Sequence, residues 1–147
     1  MNRLSTEKRA QVVRCLVEGN SIRATVRMTG VAKNTVTKLL VDLGGACSIH
    51  MDWQMRDLAC ETVQVDEIWS FVGAKAKNVK PEKRVEGWGD VWTWVAIDAD
   101  TKLVPSYRVG ARDMTEALAF MRDLAGRMDG RIQLTSDGLA HYAPTVR

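Results

Sequence analysis

Two aspartates carry the most suggestive chemistry in this sequence. Asp66 stands inside the run Val63 to Ala74 (Val-Gln-Val-Asp-Glu-Ile-Trp-Ser-Phe-Val-Gly-Ala), and Asp137 follows the run Arg131 to Ser136, just ahead of Gly138. Carboxylates are hard oxygen ligands. Two of them set side by side can bind divalent ions such as Mg²⁺, which prefers octahedral oxygen ligation completed by water and substrate phosphate. A pair of ions about 3.5–4 Å apart can activate an attacking oxygen and stabilise a leaving one during phosphoryl displacement. Taken singly, Asp66 reads as a satisfied structural acid and Asp137 as a turn former, so the metal chemistry requires a fold that makes them neighbours.

β-Branched and aromatic residues dominate Val63 to Ala74, which predicts a buried central strand. Alternation puts Asp66 on one face with Gln64, Ile68 and Ser70. Glu67 falls on the other with Val65, Trp69 and Phe71 and is expected to point away from Asp66. An acid in such a strand is costly unless it is hydrogen-bonded, paired or metal-bound. Val91 to Asp98 alternates as a second strand, with Trp92, Trp94 and Ala96 sharing a face. Asp98 and Asp100 read as hairpin-turn residues, and Leu103 to Gly110 returns as an edge strand because Pro105 cannot donate to a ladder. Asp113-Met-Thr-Glu116 resembles a capping box that opens a helix with Ala117, Phe120, Met121 and Leu124 on its buried stripe. A strand–helix–strand connection of this length predicts a right-handed crossover to a parallel strand, Arg131 to Ser136, which would bring Asp137 beside Asp66. Three antiparallel strands, a crossover helix and a parallel fourth strand make the first part of a ribonuclease-H-like α+β/α/β domain over residues 62–147.

Ahead of it, residues 1–45 predict three helices. Ser5 and Ser21 are capping residues for the first two, Gly19-Asn20 ends the first, and Thr29-Gly30-Val31 is a tight turn before a third helix that starts near Ala32. The expected apolar stripes are Ala10, Val13, Leu16 and Val17 on the first helix, and Val36, Leu39, Leu40 and Leu43 on the third. Short helix, glycine turn and a polar, basic helix start form a helix-turn-helix arrangement, whose second helix enters the major groove by its N-terminal end. Lys33 and Lys38 would hold phosphates, while Asn34, Thr35 and Thr37 would reach base edges of double-stranded DNA. Residues 1–40 hold eight Lys or Arg against Glu7 and Glu18, although the whole chain carries only +3. Residues 46–61 read as a partly helical connector with a lone surface histidine, His50. The basic stretch from Ala74 to Asp90 reads as a long loop, either contacting DNA backbone or solvated.

At 147 residues, 46% hydrophobic and 27% charged, the chain has the composition of a soluble globular protein. It lacks any apolar run of membrane-span length, and its three cysteines form no zinc-ligand pair and suit a reducing cytoplasm.

Val65-Asp-Glu-Ile-Trp-Ser-Phe71, Gly89-Asp-Val-Trp-Thr-Trp94, Ala96-Ile-Asp-Ala-Asp-Thr-Lys-Leu-Val104, Leu134-Thr-Ser-Asp-Gly138 and the opening Leu4-Ser-Thr-Glu-Lys-Arg9 together resemble the insertion-sequence-one family of bacterial transposases. The resemblance covers essentially the whole chain. It implies a DDE-type transposase, homo-oligomeric on DNA and located at the bacterial nucleoid in the cytoplasm. Such an enzyme recognises terminal inverted repeats, cuts the strand and joins it to target DNA with Mg²⁺ or Mn²⁺. Asp66 corresponds to the first catalytic acid and Asp137 to the second. The family's third acid lies in a helix beyond the second aspartate. No Asp or Glu follows Asp137 here, so a truncated transposase is the expectation, with a non-catalytic DNA-binding regulator of transposition as the alternative.

Overall fold

The computed structural model describes residues 4–146, which fall into two compact units, one up to Trp53 and one from Gln54 onward. The first is helical: α1 (Thr6–Val17), α2 (Ile22–Thr29) and α3 (Lys33–Gln54). Ser5 accepts a hydrogen bond from the Lys8 amide and Ser21 one from the Ala24 amide, so each side chain satisfies an otherwise orphan donor of its helix. Gly30 closes α2 in the left-handed conformation (φ 68°), with its amide donating to Val26 O.

The core of this unit is Val12, Val31 and Val36, with Leu4, Leu16, Ile22, Val26 and Leu39 packed around it. Two expectations about the stripes are corrected. Val12, rather than Ala10 or Val17, is the buried residue of α1, and Val17 is 74% exposed; Leu40 on α3 is also exposed. The α1 stripe is rotated by one residue, because the contact made by α2 and Val31 selects the Val12–Leu16 side. The helix α3 also runs unbroken through Gly44-Gly45 to Gln54, so the first half of the expected connector is helix. The second half pairs within the other unit: the Leu58 amide donates to Arg127 O at 2.9 Å and the Asp129 amide to Leu58 O at 2.9 Å.

The second unit is a mixed sheet with helices. Its elements are β1 (Thr62–Val72), a short α4 (Pro81–Val85), β2 (Gly89–Asp98), β3 (Ser106–Gly110), α5 (Met114–Ala125) and β4 (Gln133–Ser136). The strand order is β3-β2-β1-β4, with β1–β2 and β2–β3 antiparallel and β1–β4 parallel. β3 lies at the edge that Pro105 requires. The stretch expected as one loop between β1 and β2 contains α4 and a 3-10 turn at Ala76–Asn78. A second 3-10 turn, Ala143–Thr145, stands where an element from Tyr142 to Arg147 was expected, and Arg147 lies outside the described residues.

Asp113 caps α5 by accepting from the Glu116 amide at 3.0 Å. All four expected stripe residues of this helix are buried, against Val63, Val65, Trp94 and Ala96 of the sheet and Tyr142. Trp94 packs 6.1 Å from the Phe120 ring and edge-on to Tyr142 at 5.8 Å, and its indole N–H is satisfied by Ala111 O at 3.0 Å. Asp98 acts as the hairpin residue expected of it: it accepts from the Thr101 amide and hydroxyl.

Only one face of β1 is buried. Val63, Val65 and Glu67 lie in the core, whereas Gln64, Asp66, Ile68 and Ser70 are exposed. Asp66 is therefore not the buried acid that the apolar run implied. The acid on the core face is Glu67, because the odd-numbered positions are the ones that meet α5.

Candidate functional site

The parallel register pairs Val63 with Leu134, Gln64 with Thr135, and Val65 with Ser136. The next residues along are Asp66 and Asp137. Sequence reasoning placed these two side by side, and the structure puts them at the mouth of one groove of ≈ 380 Å³, bordered also by Gln64, Ile68, Val95 and Thr135. Both carboxylates are exposed. Asp66 Oδ1 accepts from the Glu67 amide at 2.7 Å, and Asp137 Oδ1 from the Leu139 amide at 3.2 Å. Gly138, at φ 90°, makes the turn that leaves Asp137 at the strand end.

Glu67 joins them. A carboxylate oxygen from each of Asp66, Glu67 and Asp137 lies within 4.8 Å of the others. The alternation rule correctly assigned Glu67 to the opposite face, but the expectation that it would be remote from the pair is corrected. β4 ends at Ser136, so on that side no strand stands beside Glu67, and its carboxylate lies close to those of Asp66 and Asp137.

The Glu67 side chain is only 1% exposed. Its charge is matched by Arg112, whose Nε and Nη2 donate to Oε2 at 3.1 and 3.0 Å, while the Tyr142 hydroxyl donates to Oε1. Burial, the hydrogen bond to Glu67 and the negative charges of Glu67, Asp137 and Asp66 all push the Tyr142 phenol far above its ordinary pKa. It remains a donor at every physiological pH. Arg112 in turn lies over the Trp92 ring, 4.7 Å from its centroid.

Neither Arg112 nor Tyr142 was picked out by sequence reasoning. A signal was present: an acid alternating in phase with Val63 and Val65 must find a cation or donors on the core side. What it could not reveal was which Arg and which Tyr the fold would deliver.

An all-carboxylate donor set with oxygens this close suits a hard divalent cation such as Mg²⁺ or Mn²⁺. Asp66 and Asp137 have oxygens free of side-chain partners, whereas both Glu67 oxygens already accept hydrogen bonds.

In the first unit, Lys33, Asn34, Thr35, Thr37 and Lys38 are all exposed on the opening turns of α3. Thr37 Oγ1 donates to Lys33 O at 3.1 Å, and Lys38 pairs with Asp42 at 2.7 Å in an exposed i,i+4 bridge. An exposed bridge of this kind is worth only about 0.3–0.5 kcal/mol. Among the described residues no helix is long and apolar enough to cross a membrane. Compared with models of known protein families the chain matches none, and no curated protein matches it.

Proposed function

We propose that the chain is a transposase-type protein of a bacterial insertion sequence, whose second unit is a ribonuclease-H-like domain for metal-dependent DNA strand cleavage and transfer. The observation that carries this reading is the position of Asp137, one residue past the parallel β1–β4 register and beside Asp66. The strand order β3-β2-β1-β4 supports it, as does the sequence resemblance to insertion-sequence-one transposases. Asp66 and Asp137 would hold Mg²⁺ or Mn²⁺ through their free oxygens. The bound metal would supply Lewis-acid activation of the attacking oxygen and stabilisation of the leaving one. Glu67, locked by Arg112 and Tyr142, holds the Asp66 carboxylate in place through its backbone amide. The groove of ≈ 380 Å³ lined by β1, β2 and β4 would receive the phosphodiester.

In the first unit, α2, the Gly30 turn and α3 are read as a helix-turn-helix. Lys33 and Lys38 would contact phosphates, and Asn34, Thr35 and Thr37 would face base edges of the transposon ends.

The test is nicking of supercoiled plasmid by the full chain in Mg²⁺ or Mn²⁺. With a third acid restored beyond Asp137, the expected result is metal-dependent nicking that Asp66→Asn and Asp137→Asn each abolish. Undiminished nicking in either variant overturns the assignment. A second reading, a non-catalytic DNA-binding regulator, rests on the N-terminal unit having its own core and presenting all five polar residues to solvent. Salt-dependent duplex binding in a protein that nicks under no metal condition would decide for that reading.

A further inference from the structure

The helix α5 covers only part of the sheet face it packs on. Its buried residues meet Val63, Val65, Trp94 and Ala96, and the covered zone ends at Glu67. The next two residues on that face of β1 are Trp69, 39% exposed, and Phe71, 47% exposed. Their rings lie 5.7 Å apart and tilted at 42°. Trp92, half-buried beneath Arg112, is the cross-strand partner of Trp69 on β2.

Cations border this surface. Lys75 Nζ sits 4.9 Å from the centroid of the Trp69 ring, and Lys77 is exposed in the 3-10 turn that follows. Between Ala74 and Trp88 there are five basic residues against two acidic ones, a net +3 that equals the charge of the whole chain. Exposed apolar patches of this kind mark interaction sites, and the basic residues beside this one match an anionic occupant.

We infer that Trp69 and Phe71, with Lys75 and Lys77, form a stacking platform for an unpaired nucleic-acid strand. Successive bases stack on the aromatic faces, which is tolerant of sequence because every base has a π-face. Lys75 now rests on Trp69 in an exposed cation–π contact of low strength, and it swings to the phosphate of the base that takes its place. The charge of the segment favours a polyanion over a second copy of the chain, which would bring like charges together. The platform uses neither Asp66 nor Asp137 and goes beyond the function proposed above, so metal chemistry can fail without affecting it.

The experiment is fluorescence anisotropy of labelled dodecathymidylate with the full chain, in EDTA so that metal-dependent events play no part. The expected result is binding that Trp69→Ala weakens about tenfold, the loss of one stacked base. The Lys75→Gln, Lys77→Gln double variant should lower the slope of log affinity against log salt by about 1.4, two phosphate contacts on a single strand. Should Trp69→Ala fail to fold, the lysine variant decides alone, because both side chains are solvated. Wild-type affinity and salt slope in the folded variants would overturn the inference. So would sedimentation showing that Trp69→Ala breaks an oligomer while single-strand affinity is unaltered, since the occupant would then be a second copy.

Discussion

Tyr142 donates its phenolic hydrogen bond to Glu67 from 75 residues further along the chain, and the contact is buried. It ties the segment after Asp137 to the centre of β1. Removing the hydroxyl leaves the buried Glu67 carboxylate with one empty acceptor in a low-dielectric site. Tyr142→Phe is expected to lower stability by about 2 kcal/mol. Arg112→Ala leaves the buried charge without its cation and is expected to cost about 3 kcal/mol. Chemical denaturation of both variants checks the values. Equal stability of Arg112→Ala and the parent would show that the Arg112–Glu67 pair does not hold the fold together.

Metal binding should register as stability. Mg²⁺ or Mn²⁺ in large excess over its dissociation constant is expected to raise the melting temperature of the parent chain, by mass action on the folded state. Asp66→Asn and Asp137→Asn should abolish that rise. Each should also leave the metal-free protein at least as stable as the parent, because a like-charged neighbour has been removed. Thermal melts with and without metal make the comparison; a full metal-induced rise in either variant would exclude that residue as a ligand.

Duplex DNA binding should separate from all of this. Each phosphate contact contributes about −0.9 to the slope of log affinity against log salt. Lys33→Gln and Lys38→Gln are expected to reduce the magnitude of the slope by about 1 apiece. Asn34→Ala should instead narrow the difference between preferred and random sequences. A salt titration of duplex affinity for the three variants gives the answer.

Two acids set the acid limit of the second unit. The Asp98 carboxyl is held below the ordinary range by the Thr101 hydroxyl and amide. Burial opposes ionisation of Asp123, but hydrogen bonds from Arg127 and Ser106 (2.8 and 2.6 Å) hold it low as well. Both pKa values are depressed in the fold. Their contribution to stability is thus complete above the ordinary aspartate range and disappears as pH falls through the lower folded values. Asp98→Asn is expected to flatten stability against pH below the ordinary aspartate range, with little change at neutral pH in the slope. Denaturant midpoints across that range test it.

Glycine substitutions should divide by environment. Gly30 and Gly73 have φ of 68° and 70°, yet a Cβ at Gly30 meets nothing within 4 Å whereas one at Gly73 lies 2.1 Å from the Trp88 ring. Gly30→Ala should cost about 1 kcal/mol, the left-handed penalty alone. Gly73→Ala must also displace an indole and should cost about twice as much. Equal losses by calorimetry would mean that Trp88 moves freely.

Periodicity made the strands and α5 legible in advance, because each has one face in a single core. The stripe Ala117, Phe120, Met121 and Leu124 is buried as expected, and the two serine caps fall where a short polar side chain precedes an apolar repeat. The adjacency of Asp66 and Asp137 followed from topology, since a parallel return strand fixes which ends meet. What escaped was any feature that depends on which face meets which neighbour. Asp66 was expected to be buried because the run around it is apolar. The even positions of that run nevertheless face solvent, while Val63 and Val65 share the core with Glu67. Leu40 and Val17 look like core residues by type, but α1–α3 form too small a bundle to enclose every apolar side chain they carry. The Arg112–Glu67–Tyr142 cluster joins three distant segments, and short-range patterns hold no information about such a meeting.

The parallel pairing of β1 with β4 also sets an order of events during folding. The β1–β2 and β2–β3 ladders join consecutive strands, so they close short loops and can form early. β4 has only a four-residue ladder, and it must wait for α5 to dock before it meets β1. The loop-closure entropy for that contact is the largest in the sheet. On loop-closure grounds the two aspartates are expected to become neighbours late in folding. Changes in β4 should accelerate unfolding far more than they slow folding. The chain acquires its candidate reactive centre as the final act of its own assembly.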